Sequence, residues 1–234
     1  MEFDGRTVIV TGAAGNLGRV VAGAFAAQGA NLVLADRDTR SLAERVGPED
    51  DRRRHVAADL RDRGQARAIA DAALARYARI DVLCNLAGGF RMGDPVHETN
   101  DDTWDFLFDL NARSVLNLAA AVVPAMLERG GGKIVNVGAH AALKGAAGMG
   151  AYTAAKSSVI RLTEAMAAEL REKNINVNCV LPTILDTPEN RAAMPQADPS
   201  RWVALGDLAS VVLFLSSDRS RAIHGAALPV TGLS

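Results

Sequence analysis

Cysteine is scarce in this sequence: its 234 residues include two, Cys84 and Cys179. Each lies in an apolar stretch with the pattern of a β-strand, where a thiol normally packs as a small hydrophobic group. We therefore expect two buried packing thiols, and neither a disulfide nor a nucleophile. This cysteine usage fits a cytoplasmic protein.

An excess of charge of either sign is also absent. The sequence has 26 Lys and Arg residues against 27 Asp and Glu residues, a net charge of −1. This balance gives no electrostatic reason to bind nucleic acid or an anionic membrane. The basic run Arg52–Arg54 follows the acidic run Glu49–Asp51, which cancels much of its field. We expect a solvated loop there and no nucleic-acid partner.

Long apolar runs and clusters of metal ligands are missing as well. No apolar run reaches the ~18 residues of a membrane span, and the first residues lack the pattern of a signal peptide. His55, His97 and His224 have no cluster of Cys, Asp or Glu at metal-ligand spacing. We therefore expect no membrane association and no metal site.

The sequence does contain a regular alternation of short β-branched runs with longer helical patterns. The predicted strands are Thr7–Val10, Asn31–Ala35, Arg54–Ala57, Asp81–Cys84, Lys133–Val137, Ile175–Leu181 and Ala226–Val230. The predicted helices are Asn16–Gln28, Gln65–Ala78, Asp102–Glu128 with a possible bend at Pro124, Tyr152–Glu172 and Asp207–Leu215. Alternation of this kind predicts parallel pairing through right-handed crossovers. The expected fold is α/β, a Rossmann-type doubly wound parallel sheet of about seven strands with helices on both faces.

We expect a single domain over residues 1–234, with a substrate lid at about residues 182–206. The lid region is the one long irregular stretch, and it carries Pro182, Pro188, Pro195 and Pro199. Long loops in compact domains are often functional, and this one follows the carboxyl end of a strand, where such sheets bind ligands. Met194 and Trp202, in or beside the lid, either cover a flat substrate ring or simply pack the lid.

A glycine-rich turn lies between the first predicted strand and the first predicted helix. Gly12, Gly15 and Gly18 allow the chain to turn sharply there. The N-terminus of the next helix can then face a phosphate with its free N–H groups and its dipole. A strand before the turn and a helix after it predict a dinucleotide-binding site.

Asp36 supports this prediction and selects the cofactor. It ends the second strand, 18 residues beyond Gly18, where a carboxylate can accept both ribose hydroxyls. It would also repel a 2′-phosphate, so we expect NAD(H) rather than NADP(H). Arg37 is the competing feature, since its cation can contact that phosphate if Asp36 swings aside.

Tyr152 and Lys156 carry the predicted chemistry. They lie one helical turn apart, on the same face of a helix. Either this pair or the glycine turn alone is weak evidence. Together, in this order and about 140 residues apart, they predict a hydride-transfer enzyme that binds a dinucleotide and protonates its substrate through Tyr152.

Over nearly its whole length the sequence resembles the short-chain dehydrogenase/reductase family. The glycine turn, Asp59-Leu60, Asn85 to Gly88, Asn111 and Tyr152…Lys156 fall in the family's order. The resemblance implies that Asp59 and Leu60 border the adenine, and that Asn85 to Gly88 supports the sheet beside the cofactor. It also implies that Lys156 binds the nicotinamide ribose and lowers the pKa of Tyr152, and that Asn111 holds a relay water.

The resemblance also extends to the lid and to the assembly. Thr187, after Pro182, is expected near the nicotinamide amide or the phosphates, and the family assembles as homodimers or homotetramers through helices. The catalytic candidates are thus Tyr152, Lys156 and Asn111. The cofactor-binding candidates are Gly12, Ala14, Gly15, Asn16, Leu17, Gly18, Asp36, Arg37, Asp59, Leu60, Asn85, Ala87, Gly88, Tyr152, Lys156, Pro182 and Thr187.

The sequence departs from the family pattern at three positions. Asn16 and Thr183 replace glycines, and Ala139 stands 13 residues before Tyr152, where the family has a serine. That serine would stabilise a developing alkoxide. Either the enzyme is impaired, or His140 substitutes for the serine, or the substrate develops no alkoxide. We prefer the third reading and take Ala139 and His140 as candidate substrate contacts.

Residues 83–90, 138–149 and 180–198 look like dihydropteridine reductase, which also lacks the serine. That resemblance implies NADH-dependent reduction of a quinonoid dihydropterin or a similar conjugated cyclic substrate, protonated on nitrogen. The alternatives are a carbonyl or alcohol oxidoreductase of unknown substrate, and a catalytically silent NAD(H)-binding interaction module.

Overall fold

The computed structural model describes all residues, 1–234, and contains one sheet of seven parallel strands. The strands are β1 (Thr7–Thr11), β2 (Asn31–Asp36), β3 (Arg53–Ala57), β4 (Val82–Asn85), β5 (Gly132–Val137), β6 (Ile175–Pro182) and β7 (Ala227–Val230). Their spatial order is β3-β2-β1-β4-β5-β6-β7. The helices are α1 (Asn16–Ala27), α2 (Thr39–Val46), α3 (Arg63–Tyr77), α4 (Asp101–Phe108), α5 (Ser114–Arg129), α6 (Gly150–Leu170), α7 (Pro188–Ala193) and α8 (Leu205–Ser216).

The two faces of the sheet bury separate cores because successive side chains of a strand point to opposite faces. In β1, Val8 and Val10 belong to a core of 21 buried residues. Ile9, between them, belongs to a second core of 20 buried residues. Helices α1 and α8 pack together over the first face, and α3 and α5 over the second. The doubly wound sheet predicted from the sequence is thus confirmed.

The strand order reverses at β1, which lies between β2 and β4. Chain crossovers leave β1 and β4 toward opposite faces of such a sheet, so a crevice opens at their carboxyl ends. Every predicted strand is present, with bounds that differ by one residue at one end or both. The crevice therefore lies where the predicted glycine turn ends β1.

Helix α2 is the main element that the sequence pattern did not predict. It has eight residues and one buried side chain, Leu42, so its apolar periodicity is short. Local signals define its ends instead. The Asp38 carboxylate caps it by accepting from the N–H groups of Arg40 and Ser41, and Gly47 ends it at φ 82°.

The long predicted helix Asp102–Glu128 is two helices joined by a π-helical turn. The turn covers Asp109–Arg113, and the N–H of Ser114 donates to the carbonyl of Asp109. The expected bend site, Pro124, instead lies within α5. The interruption thus falls at the buried Asn111, 13 residues before the expected bend at Pro124, and π-helical turns often mark functional positions.

The lid segment is more ordered than the irregular stretch expected from its prolines. Thr187 caps α7 by accepting from the N–H of Asn190, and Pro188 takes the first helical position, which suits its fixed φ. A parallel bridge between Leu185 and Val203 joins the two ends of the segment. The prediction of a long loop is therefore wrong in part, because local capping makes a short helix within it.

Both thiols are buried and free, as expected. Burial raises the pKa of Cys84 to about 12 and that of Cys179 to about 11. Neither thiol is therefore ionised near neutral pH, which confirms their role in packing.

One helical stretch, Asp101–Arg129, is long and apolar enough to cross a membrane, by length and composition only. Core helices of globular domains meet the same criterion. This stretch packs on α3 and α6, and 44% of its apolar window is buried within the domain. Packing within the domain therefore accounts for part of its apolar character.

Candidate active site

A groove of about 480 Å³ opens at the carboxyl ends of β1, β2, β3 and β4. Most of the predicted cofactor residues line it: Gly12, Gly15, Asn16, Leu17, Gly18, Asp36, Arg37, Asp59, Leu60, Ala87 and Gly88. The groove thus brings together residues from four separate loops, because parallel strands end at one edge of the sheet. The other candidates, Ala14, Asn85, Tyr152, Lys156, Pro182 and Thr187, lie outside its lining.

Two glycines of the turn are required by close backbone contacts. A Cβ at Gly18 would overlap the carbonyl oxygen of Gly12 and lie 2.7 Å from the Cα of Ala13. Gly12 has φ +62°, and a Cβ there would lie 2.9 Å from the Cα of Ala87. The N-cap of α1, Gly15, offers no side-chain hydrogen bond, so no side-chain cap occupies the first-turn N–H groups. This cradle fits the diphosphate of a dinucleotide.

Asp36 is held beside the glycine turn by two backbone donors. Its carboxylate accepts from the N–H of Ala14 at 3.0 Å and from the N–H of Arg37 at 2.8 Å. At the same end of the groove Arg61 forms an ion pair of 2.6 Å with Asp59. The carboxylate of Asp36 is thus fixed at the groove, while Arg37 is exposed.

Asn16, where the family has glycine, links the groove to the lid. Its Nδ2 donates to the carboxylate of Glu189, in α7, at 2.6 Å. A bond from the backbone N–H of Glu189 and the Asn16 amide both lower the pKa of that carboxyl. The departure at Asn16 therefore supplies a side-chain contact that glycine cannot make.

Asn111 lies where the groove meets α6. Its Oδ1 accepts from the N–H of Gly89 at 3.1 Å, and its Nδ2 donates to the carbonyls of Gly89 and Leu107, both at 3.0 Å. A Cβ at Gly88 would lie 2.8 Å from the Oδ1 of Asn111 and 3.1 Å from the Nζ of Lys156. Gly88, Asn111 and Lys156 therefore meet at one point.

Lys156 and Tyr152 have strongly altered proton affinities. Burial lowers the pKa of Lys156 to about 8, and its Nζ donates to the carbonyl of Val137 at 2.9 Å. Burial raises the pKa of Tyr152 to about 12, so the expectation that Lys156 lowers this pKa is wrong for this structure, where desolvation of the phenol dominates. The ring of Phe90 meets the Tyr152 ring edge-on, with centroids 4.8 Å apart. Near neutral pH the pair is therefore a neutral phenol and a mostly charged ammonium.

The candidate substrate residues are spread over different environments. Ala139 is buried, at 6% exposure, just before a 3₁₀ turn at His140–Leu143, whose first side chain is exposed. Trp202 is buried at 7% exposure and Met194 is half-buried. Neither of these two lines the groove, so their contact with substrate stays a prediction.

Five groove residues lie outside the segments predicted from the sequence: Ala58, Arg61, Gly89, Phe106 and Leu110. Phe106 and Leu110 come from α4 and the π-helical turn. A Cβ at Gly89 would lie 2.8 Å from Phe106 and 2.9 Å from Leu110. The Gly88-Gly89 pair was the available signal for this close approach.

A protein-family model described as short chain dehydrogenase matches residues 6–198. This chain belongs to the short-chain dehydrogenase family. The D-threitol dehydrogenase of Mycolicibacterium smegmatis is 32% identical to it, over 99% of this chain and 93% of that protein.

Two solved structures of similar proteins carry different cofactors. Carveol dehydrogenase from Mycobacterium avium, in complex with NAD, is 30% identical with a TM-score of 0.90, covering 99% of this chain and 98% of that one. Gluconate 5-dehydrogenase from Burkholderia cenocepacia, in complex with NADP and tartrate, is 32% identical with a TM-score of 0.90, covering 99% and 95%. As a short-chain dehydrogenase, the chain is an oxidoreductase that binds NAD(P).

Proposed function

We propose that this chain is an NAD(H)-dependent oxidoreductase in which Tyr152 exchanges a proton with the substrate. The observation that carries the proposal is the meeting of Asn111 and Lys156 at Gly88, a residue of the groove, with Tyr152 one helical turn from Lys156. Mixing the protein with NADH and a panel of ketones, quinones and quinonoid pterins tests it. If no member of a broad panel oxidises NADH in the presence of the protein, a catalytically silent NAD(H)-binding module is favoured instead.

The residues divide the chemistry among them. The glycine turn and Asp36 hold the cofactor, which when bound supplies or accepts a hydride. Tyr152, with its pKa raised to about 12 by burial, keeps its proton until the substrate takes it. The Lys156 ammonium lies on the same face of α6 and favours the phenolate that then forms. Asn111 fixes the backbone at Gly89 beside them.

NADH is expected to bind at least ~10-fold more tightly than NADPH, a difference of ~1.4 kcal/mol in binding free energy, because a fixed carboxylate at Asp36 repels a 2′-phosphate. Fluorescence titration of both cofactors measures the ratio. Asp36→Asn should narrow it, whereas Asp38→Asn, which removes the same charge from the cap of α2, should not. Equal or tighter binding of NADPH by the wild type would identify Arg37 as the selecting residue.

For the substrate, we propose a quinonoid dihydropterin or a similar conjugated ring that is protonated on nitrogen. The support is Ala139, which leaves no hydroxyl to meet an alkoxide. A carbonyl or alcohol substrate is the second candidate. The relatives described above are dehydrogenases of D-threitol, carveol and gluconate, and none is a pterin reductase.

Ala139→Ser separates these two candidates. A new hydroxyl near the reacting atom should raise kcat/KM for ketones by ~10-fold or more, since it stabilises developing alkoxide charge. It should leave kcat/KM for quinonoid dihydropterin unchanged. Efficient reduction of ketones by the wild type, with no gain in Ala139→Ser, would contradict the substrate proposal and leave His140 or a bound water as the replacement.

We also propose a homodimer or homotetramer in the cytoplasm. Helices α4 and α5 present exposed apolar side chains, with Trp104 at 46%, Leu116 at 56% and Leu127 at 43% exposure. Such a surface favours contact with a second copy. A monomer in sedimentation experiments would contradict this assembly.

A further inference from the structure

A chain of three buried polar side chains crosses from the sheet to α6. Asn85 Nδ2 donates to Asn136 Oδ1 at 2.8 Å, and Asn136 Nδ2 donates to Thr163 Oγ1 at 2.9 Å. Their exposures are 4%, 0% and 0%. Because no water reaches them, each bond is directional and costly to break.

This chain lies directly behind the site. Asn85 and Asn136 are register partners on β4 and β5. Asn85 immediately precedes Leu86–Gly89, which lines the groove. The residue after Asn136, Val137, provides the carbonyl that accepts from Lys156.

Thr163 links α6 to β5 through Asn136, on the face of α6 that also carries Tyr152 and Lys156. It lies seven residues after Lys156, about two helical turns along, so the two side chains share a face. Its hydroxyl also donates to the carbonyl of Val159 at 2.8 Å. The oxygen lone pairs of Thr163 are then available to accept from the Asn136 amide. Because both bonds are directional, they constrain the rotation of α6 relative to β5.

Stability alone does not explain this arrangement. The Oδ1 of Asn85 is buried with no hydrogen-bond partner, and an unsatisfied acceptor destabilises the fold. Apolar side chains would hold α6 against the sheet by burial without that cost, whereas hydrogen bonds add a directional constraint on the angle between donor and acceptor.

We propose that Asn136 and Thr163 are positioning residues, which orient α6 so that Lys156 and Tyr152 face the groove. The proposal rests on the function proposed above. Neither residue touches the cofactor groove, and each acts through the backbone of Val137 and the face of α6.

The test is Thr163→Val, which keeps the shape of the side chain and removes the hydroxyl. We expect kcat to fall ~10-fold or more, since small displacements of reacting groups have effects of this size, with the Kd for NADH within ~2-fold of the wild type. Thr163→Ser should restore kcat. Ser158→Ala is the matched control, because it removes a bond of the same kind on α6, to the carbonyl of Ala154, without contacting Asn136.

A second readout needs neither cofactor nor substrate. The chain has four lysines, Lys133, Lys144, Lys156 and Lys173, so carbon-13 labelling at lysine Cε gives few NMR signals. Burial lowers the pKa of Lys156 to about 8, and the titratable groups near it are the Tyr152 phenol, one turn away on α6, and the Cys179 thiol of β6. We expect its pKa to move up toward the ordinary value of 10.5 in Thr163→Val, as water enters beside Nζ, and to stay unchanged in Ser158→Ala.

The outcomes distinguish the two proposals. A Thr163→Val protein with wild-type kcat and an unchanged Lys156 pKa overturns the positioning role, even if its melting temperature falls. If the wild type and every variant lack activity but the pKa of Lys156 rises in Thr163→Val, the proposed function is contradicted. The positioning role of Thr163 then still holds. If Thr163→Val does not fold, Thr163→Cys carries the same comparison, since a thiol is a weak acceptor.

Discussion

Tyr152→Phe is expected to lower kcat by at least ~100-fold, the usual scale for loss of a general acid. The Kd for NADH should change little, because the substitution removes a single oxygen. The ring, and with it the edge-on contact with Phe90, remains. Steady-state kinetics on the true substrate and fluorescence titration of NADH measure the two quantities separately.

Tyr77→Phe is the matched control, because Tyr77 is the other of the two tyrosines. It ends α3, and its hydroxyl is buried with no hydrogen-bond partner. Its loss should leave kcat unchanged. Full activity of Tyr152→Phe would remove the phenol from the mechanism, and quinonoid substrates, which accept hydride readily, provide the most stringent test.

Gly18→Ala is expected to weaken dinucleotide binding by roughly 100-fold, or ~2.8 kcal/mol. The added Cβ would overlap the Gly12 carbonyl and crowd Ala13 Cα at 2.7 Å. Backbone cannot move away as a flexible side chain can, so α1 must shift and the cradle must open. Overpacking of this kind also destabilises the fold, by ~1–3 kcal/mol. Titration with NADH and thermal unfolding report the two effects.

Gly23→Ala, on the same helix, should have the opposite effect on stability. A Cβ there meets nothing within 4 Å, and alanine in a helix interior is favoured over glycine by ~0.5–1 kcal/mol. It should leave the NADH affinity unchanged. Wild-type affinity in Gly18→Ala would show that the turn does not carry the diphosphate.

The strands and the groove were largely predictable, for reasons tied to particular residues. Strands such as Thr7–Thr11 are buried on both faces of a parallel sheet and therefore read as continuous apolar runs. Once they are placed, the positions of Gly12, Asp36, Asp59 and Gly88 follow, because each lies at the end of a strand or just after it and all such ends meet at one edge. Family membership then agreed with the order of these motifs.

Other features depend on contacts that no local pattern records. Phe106 and Leu110 enter the groove through a π-helical turn, whose hydrogen bonds skip one residue more than those of an α-helix. The burial of Trp202 follows from how the lid folds back through the Leu185–Val203 bridge. The local resemblance to dihydropteridine reductase rests on three short segments, and the similar proteins described above do not extend it.

The interruption at Asp109–Arg113 also sets an angular phase between α4 and α5. Each residue advances ~100° around an α-helix, and one residue extra per turn puts the two helices out of step by about that angle. A helical wheel drawn through Asp101–Arg129 as one element would therefore assign Trp104 and Leu116 to the wrong relative faces. An insertion or a deletion within Asp109–Arg113 would therefore change the rotation of α4 relative to α5. Deletion of one residue from this turn would leave the sequences of α4 and α5 unchanged, but it would rotate the side chains of α4 away from the residues that they now contact.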